Sequence, residues 1–288
     1  MPDLAGLNRP TDKELDLFGI THKGHVRNEN QDHYLISTVH PQVVVHDTSL
    51  PRADQLPLRG TRLATVLVVA DGVGGAAAGS EAAQLATEAV IRYVSLTLTS
   101  YHIAGRAADD RLLDALKGAA MDAHQAVKAE AALRSDQRKM ATTLTVGIVI
   151  WPWAYFIQVG DSRAYVYTEG KLGQITRDQT VAQALVDQGV IPPDRLDSSP
   201  LKHVLSSAIG AEDAVPVVSR VDMSERGALI LLCSDGLMKH VPDDEIAAAI
   251  AAMTSSEQLS KHLMELCLER GGKDNITIIA ARAPLPKA

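Results

Sequence analysis

With 288 residues, 46% of them hydrophobic, the chain has enough apolar surface to bury a sizeable core, in one large domain or two small ones. Its 28 basic and 35 acidic residues leave a formal charge of -7, with no long run of Lys or Arg, which argues against nucleic acid or an anionic membrane as a partner. Its two cysteines, Cys233 and Cys267, sit in apolar patterns outside any CxxC and read as reduced core residues of a cytosolic protein.

The opening stretch "MPDLAGLNRPTDKELD" lacks the basic start and apolar run of a secretory signal, so residues 1–12 are expected to form a flexible lead-in to a single domain over 13–286. "HYLISTV" (33–39) reads as a strand. Residues 40–62 hold three prolines and join two strands, which predicts a surface insertion with a small hairpin at "QVVVH". "ATVLVVA" (64–70) is the next strand, followed by helical periodicity over about 80–94 on Ala82, Leu85, Ala86, Ala89, Val90 and Tyr93. A second helix is predicted over 109–132 on Leu113, Leu116, Ala120 and Val127. The nineteen residues "ATTLTVGIVIWPWAYFIQV" (141–159) carry no charge and reach the length of a membrane span. Thr, Val and Ile dominate there, however, and Pro152 divides the run, so the reading is a hairpin of strands 143–150 and 154–159. "RAYVYT" (163–168) is a further strand, and the Pro-, Asp- and Ser-rich segment 190–205 is expected to cover a site as a mobile flap. Strand 227–233, helices 243–253 and 256–269, the latter ended by Gly271 and Gly272, and strand 275–281 complete the order. Continuously apolar strands need cover on both faces, by a second sheet and by helices. Consecutive strands without intervening helices indicate antiparallel pairing, so the class is α+β with a large β core.

Five aspartates flank five of these strands. Asp71 follows 64–70, Asp161 follows 154–159 and Asp235 follows 227–233, while Asp32 precedes 33–39 and Asp274 precedes 275–281. Each alone is an ordinary turn residue. Strands stacked in one core bring their ends together, however, and carboxylates gathered there repel and resist desolvation unless cations neutralise them. Oxygen donors without a Cys cluster suit Mg²⁺ or Mn²⁺ and not a structural zinc. His22 and His25 in "THKGH" read as residues of a loop or a strand start, with no metal role, and HExxH is absent. Cys233 beside Ser234 lacks a following Arg-bearing phosphate loop, which argues against a cysteine phosphatase.

The motifs "RNENQD" (27–32), "DGVGG" (71–75), "ATTL" (141–144), "GDSRAY" (160–165), "ITRDQT" (175–180), "LLCSDGL" (231–237) and "GGKDNIT" (271–277) occur in an order and spacing that resemble the type 2C, metal-dependent Ser/Thr protein phosphatases, the compact bacterial members most of all. The resemblance covers about Leu17 to Ala281 and implies a four-layer α/β/β/α sandwich of two antiparallel β-sheets flanked by helices, with two Mn²⁺ or Mg²⁺ ions at one end. It implies that Asp71 bridges the metals, that the Gly72 carbonyl binds one, that Asp235 and Asp274 hold one directly, and that Asp32 serves the other partly through water. Arg27 matches the arginine that grips the substrate phosphate, while Asp161, Gln31 and Thr142 match supporting positions. It further implies a cytoplasmic monomer acting on phosphorylated proteins, opposing a bacterial Ser/Thr kinase, without nucleic acid or membrane.

Departures from the pattern are as informative. Gln31 stands where many members carry Glu, and Val73 where some carry a His proposed as general acid. Lys139, where relatives often place an Asp for a third metal, cannot ligate a cation and puts that site in doubt, and Ala141 replaces a Gly. Gln179 replaces a common His without a mechanistic reading. Rival readings are a catalytically weak or inactive relative that binds phosphoproteins, a phosphatase dedicated to one signalling partner, and a metal-dependent phosphodiesterase or nuclease, which the acidic balance disfavours.

Overall fold

The computed structural model describes residues 9–42, 44–45, 47–49, 58–74, 76–104, 109–133 and 140–284. The chain forms β1 (Asp16–His22), β2 (His33–Val39), β3 (Ala64–Ala70), β4 (Gly72–Val73), α1 (Ala76–Ala104), α2 (Asp109–Leu133), β5 (Ala141–Thr142), β6 (Leu144–Ile150), β7 (Trp153–Val159), β8 (Arg163–Thr168) and β9 (Lys171–Gln174). There follow α3 (Val181–Asp187), β10 (Val217–Asp222), β11 (Leu229–Cys233), α4 (Asp235–Met238), α5 (Asp243–Ala252), α6 (Ser256–Glu269) and β12 (Ile276–Arg282).

One five-stranded sheet runs β1-β12-β11-β8-β9 and the other β10-β7-β6-β3-β2, with β4-β5 as a two-stranded appendage. Neighbours pair antiparallel throughout. The period of two along β3 sorts its side chains between two cores: Val66 and Val68 pack against α1 and α2, while Leu67 and Val69 face the other sheet. A third core lies beneath α5 and α6, where Leu231 and Cys233 of β11 meet Leu259, Leu263 and Cys267. The layers are therefore helix, sheet, sheet, helix, as the resemblance implies. Burial on both faces explains the unbroken apolar run of β3, each such side chain contributing about 1.5–3 kcal/mol on removal from water.

Strands 33–39, 64–70 and 163–168 and helix 256–269 have the expected bounds, whereas α1 extends past 80–94 on both sides, through Gly79 to Ala76 and on to Ala104. β1, β9 and β10 were not legible in the sequence. Each lies at a sheet edge, where one side of the strand is uncovered and a mixed sequence such as "DLFGITH" suffices. The 141–159 run is the β6–β7 hairpin, with Leu144 opposite Val159 and Ile150 opposite Trp153. Among the described residues no helix is long and apolar enough to cross a membrane.

In the 40–62 insertion Gln42 bridges Arg59, Val44 and Val45 belong to no strand, and Val43, His46 and all of 50–57 lie outside the described residues, as does Lys139. Before β1, a 3₁₀ turn at Asp12–Glu14 is anchored by Arg62 Nη1 on Asp12 (2.7 Å) and Arg226 Nη1 on Glu14 (2.7 Å).

Candidate active site

Strand register brings the five aspartates to one end of the sandwich. His33 pairs with Ala70, which sets Asp32 beside Asp71, and Cys233 pairs with Ile278, which draws Asp235 towards Asp274. A groove of about 1230 Å³ opens there, lined by Arg27, Asp71, Asp161, Asp235, Lys239 and Asp274 and by the 203–208 segment. Asp32, only 3% exposed, lies behind the floor.

Each carboxylate is set by its own local structure. The backbone of Asp71 is clamped to the end of β5 and the residue after it: its N–H donates to Thr143 Oγ1 (3.0 Å), and its carbonyl accepts from Thr143 N–H (2.9 Å) and Thr142 Oγ1 (2.9 Å). Gly72 must lack a side chain because a Cβ there would lie 2.4 Å from the carbonyl carbon and oxygen of Gly79, so the loop seats directly on α1. Asp32 Oδ2 accepts from Ser234 Oγ (2.7 Å) and Thr277 Oγ1 (2.8 Å), which ties the first motif to the ends of β11 and β12. Gln31 donates its backbone N–H to Asn275 Oδ1, and Asn275 Nδ2 returns to the carbonyls of Lys23 and Glu29 (2.9 Å each). Gly24, at φ +77°, lets that loop approach the Asp274 carbonyl, where a Cβ would sit 2.2 Å away.

Arg27 and Asp274 are paired. Arg27 Nε lies 2.7 Å from Asp274 Oδ1 and Nη2 donates to Oδ2 at 2.8 Å, a two-pronged geometry that matches carboxylate and phosphate equally well. Lys239 Nζ sits 2.5 Å from Asp235 Oδ2 and 2.6 Å from Asp274 Oδ2. Arg163 turns away from Asp161, holding Asp178 through Nε (2.8 Å) and Nη2 (2.7 Å) and Tyr165 through Nη1 (2.9 Å).

Electrostatics follow from this crowding. Burial, then repulsion from Asp32, Asp235, Asp161 and Asp274, holds the Asp71 carboxyl well above the ordinary range. Burial pushes Asp161 up to about 7, with Asp235 and Asp178 adding to the rise. Asp32 rises to about 6, again mainly by burial, against the Ser234 and Thr277 bonds that favour its anion. Asp274 moves the other way: burial raises it, but the Arg27 and Lys239 bonds outweigh burial and leave it below the usual carboxylate range. Burial works against the Lys239 ammonium, yet Asp235 and Asp274 keep its pKa above the ordinary lysine value. The thiols are inert by comparison, since burial raises Cys233 and pushes Cys267 up to about 12.

The donor set fits a hard divalent cation. Asp32 Oδ1 and Asp235 Oδ1 are buried without a hydrogen-bond partner, and the neighbouring Asp71 resists ionisation for want of positive charge. Among the described residues no three such side chains already form one coordination shell, and Arg27 and Lys239 hold Asp274 and Asp235 instead. The structure thus brings together Arg27, Asp71, Gly72, Asp161, Asp235 and Asp274 around the groove, with Asp32 and Thr142 behind them. His22 ends β1 and His25 lies in the turn beyond it, His22 Nδ1 accepting from Gly24 N–H at 2.9 Å.

Sequence reasoning gave no role to three residues in and around this site. Asn275 stitches the first motif to β12, and Lys239 bridges two carboxylates. Gln179 is a tie, its Oε1 accepting from Gly160 N–H (2.8 Å) and its Nε2 donating to the Val215 carbonyl (2.8 Å). The one available signal was the four-residue step from Asp235 to Lys239, which places both on one face of a helical turn.

The profile of the family described as Protein phosphatase 2C matches residues 46–267. The Ser/Thr protein phosphatase PstP of Mycobacterium tuberculosis is 34% identical over 218 residues, 76% of this chain and 40% of that protein. The Ser/Thr phosphatase Stp of Listeria welshimeri is 28% identical over 217 residues, 74% of this chain and 82% of that protein. The chain thus spans about 40% of the length of the mycobacterial relative. Among solved structures, the M. tuberculosis PstP/Ppp phosphatase superposes with a TM-score of 0.74 at 28% identity, over 94% of this chain and 99% of that one. The PstP catalytic domain, solved in complex with two manganese ions, gives 0.70 at 28% identity, over 94% and 99% of the two chains. With a profile match across most of its length and the sandwich, loops and carboxylate cluster in place, the chain belongs to the protein phosphatase 2C family.

Proposed function

We propose that this chain is a metal-dependent phosphoprotein phosphatase that hydrolyses phosphoserine and phosphothreonine esters with two Mn²⁺ or Mg²⁺ ions. The observation that carries the proposal is the convergence of Asp32, Asp71, Asp161, Asp235 and Asp274 beside Arg27 at one groove, where their mutual repulsion calls for divalent cations. The two manganese ions of the PstP catalytic domain support the same reading.

In this reading Asp71 would serve both ions, the Gly72 carbonyl and Asp32 one of them, and Asp235 and Asp274 the other. Bound there, the ions supply a water activated for attack at phosphorus and offset the charge of the phosphoryl group. Arg27 offers its planar donor pair to the phosphate oxygens, a geometry it already presents to Asp274. Thr142 and Thr143 fix the Asp71 backbone, while Asp161 and the Gln31 loop support the floor by packing and hydrogen bonding. Residues 13–286 act as one catalytic domain of a cytoplasmic monomer. Its partners are phosphorylated proteins, among them a bacterial Ser/Thr kinase and its substrates.

The test is hydrolysis of a phosphothreonine peptide and of an aryl phosphate with Mn²⁺, Mg²⁺ or EDTA, alongside Asp71→Ala and Asp235→Ala. Turnover is expected only with metal and is nearly abolished in both variants. Metal-independent turnover, or full activity in either variant, overturns the proposal. Phosphopeptide binding without any turnover favours the phosphoprotein-binding regulator instead.

A further inference from the structure

Lys239 is a cation that the proposed chemistry leaves without a task. It follows α4 directly, one helical turn beyond Asp235, and its side chain is only 24% exposed. Its Nζ lies against Asp235 Oδ2 and Asp274 Oδ2 at 2.5 and 2.6 Å, the two carboxylates that the proposed function assigns to one metal ion. Asp274 is also gripped by Arg27 and by the Asn275 N–H at 2.9 Å, whereas Asp235 Oδ1 has no partner. A divalent ion contacts carboxylate oxygens at about 2.0–2.6 Å, so it and an ammonium compete for the same pair of oxygens and repel each other.

We infer that Lys239 is a built-in competitor for the divalent ion at Asp235 and Asp274, which balances these carboxylates when no metal is bound and raises the metal concentration the chain requires. It acts through the two aspartates and is a positioning residue, not one that touches substrate. The inference rests on the metal-dependent reading above, and its test separates the two.

Mn²⁺ is titrated calorimetrically into the chelator-stripped full chain, as wild type, Lys239→Met and Lys239→Arg. Lys239→Met is expected to bind Mn²⁺ at least tenfold more tightly with the same number of ions, and to melt below wild type in EDTA. Lys239→Arg, which keeps the charge, is expected to retain the wild-type affinity. Equal affinities for wild type and Lys239→Met, or a weaker one for the variant, overturn the inference and leave the metal reading standing. No Mn²⁺ uptake by either protein overturns both. A measurement on the unaltered chain does not depend on variant folding: acetylation of Lys239, normalised to exposed Lys171, is expected to rise on saturation with Mg²⁺ relative to EDTA. Unchanged reactivity on Mg²⁺ binding overturns the inference.

Discussion

Replacing Asp32 by Asn tests whether the carboxylate cluster is held together against its own charge. In the folded chain this carboxyl rises from 3.8 to about 6, first because it is buried and further because Asp235 and Asp274 lie close. A folded acid with a raised pKa binds protons more readily than the unfolded one, so it subtracts stability as pH climbs from the unfolded value through the folded one. At pH 8 the subtraction is fully developed at about 3 kcal/mol. The amide of Asn removes this term. Its oxygen can keep the bonds from Ser234 and Thr277, while its NH₂ group falls where Oδ1 has no partner, a buried orphan donor that costs about 1 kcal/mol. The net expectation in EDTA at pH 8 is a gain of about 2 kcal/mol, or about 3 °C in Tm for a chain of this length. At pH 5, where the folded carboxyl is largely protonated, the gain falls below about 1 kcal/mol. Saturating Mn²⁺ should reverse the ranking, because the wild type then gains binding free energy that the variant loses. Urea unfolding at both pH values, with EDTA or Mn²⁺, reads all three effects. An Asn variant that is less stable than wild type at pH 8 in EDTA, or equally shifted at both pH values, would refute the reasoning.

Gly72→Ala is expected to destabilise the chain by about 2 kcal/mol or more, since the added Cβ meets the Gly79 backbone at 2.4 Å and backbone must shift to admit it; chemical denaturation checks this. Arg27→Lys is expected to behave more like Arg27→Ala than like wild type, raising KM for a phosphopeptide at least about tenfold, because a point ammonium does not reproduce the two-pronged guanidinium; steady-state kinetics decide it.

Much of this architecture was legible because the inner strands are covered on both faces. Burial on both sides forces runs such as 64–70 to be apolar throughout, and the first residue able to face the groove is then an aspartate. The edge strands β1, β9 and β10 escaped because half of each needs no apolar residue, as the Asp16 and His22 ends of β1 illustrate. At the site, Asp71, Asp235, Asp274 and Asp32 announced themselves by position relative to strands. Lys239 and Gln179 did not, because their roles depend on which oxygens lie within reach once the sheets stack, and a lysine in "GLMKH" otherwise reads as a solvated surface residue. Arg27 was expected to face the groove as a phosphate donor; its bond to Asp274 shows that the same guanidinium geometry also serves a neighbouring carboxylate.

The most direct measurement is anomalous diffraction at the manganese edge from crystals soaked in Mn²⁺. Two peaks are predicted, both in contact with Asp71, one also within coordination distance of Asp235 and Asp274 and the other lying towards Asp32 and the Gly72 carbonyl. No peak beside Asp71, or manganese found only on exposed surface carboxylates, would contradict the account.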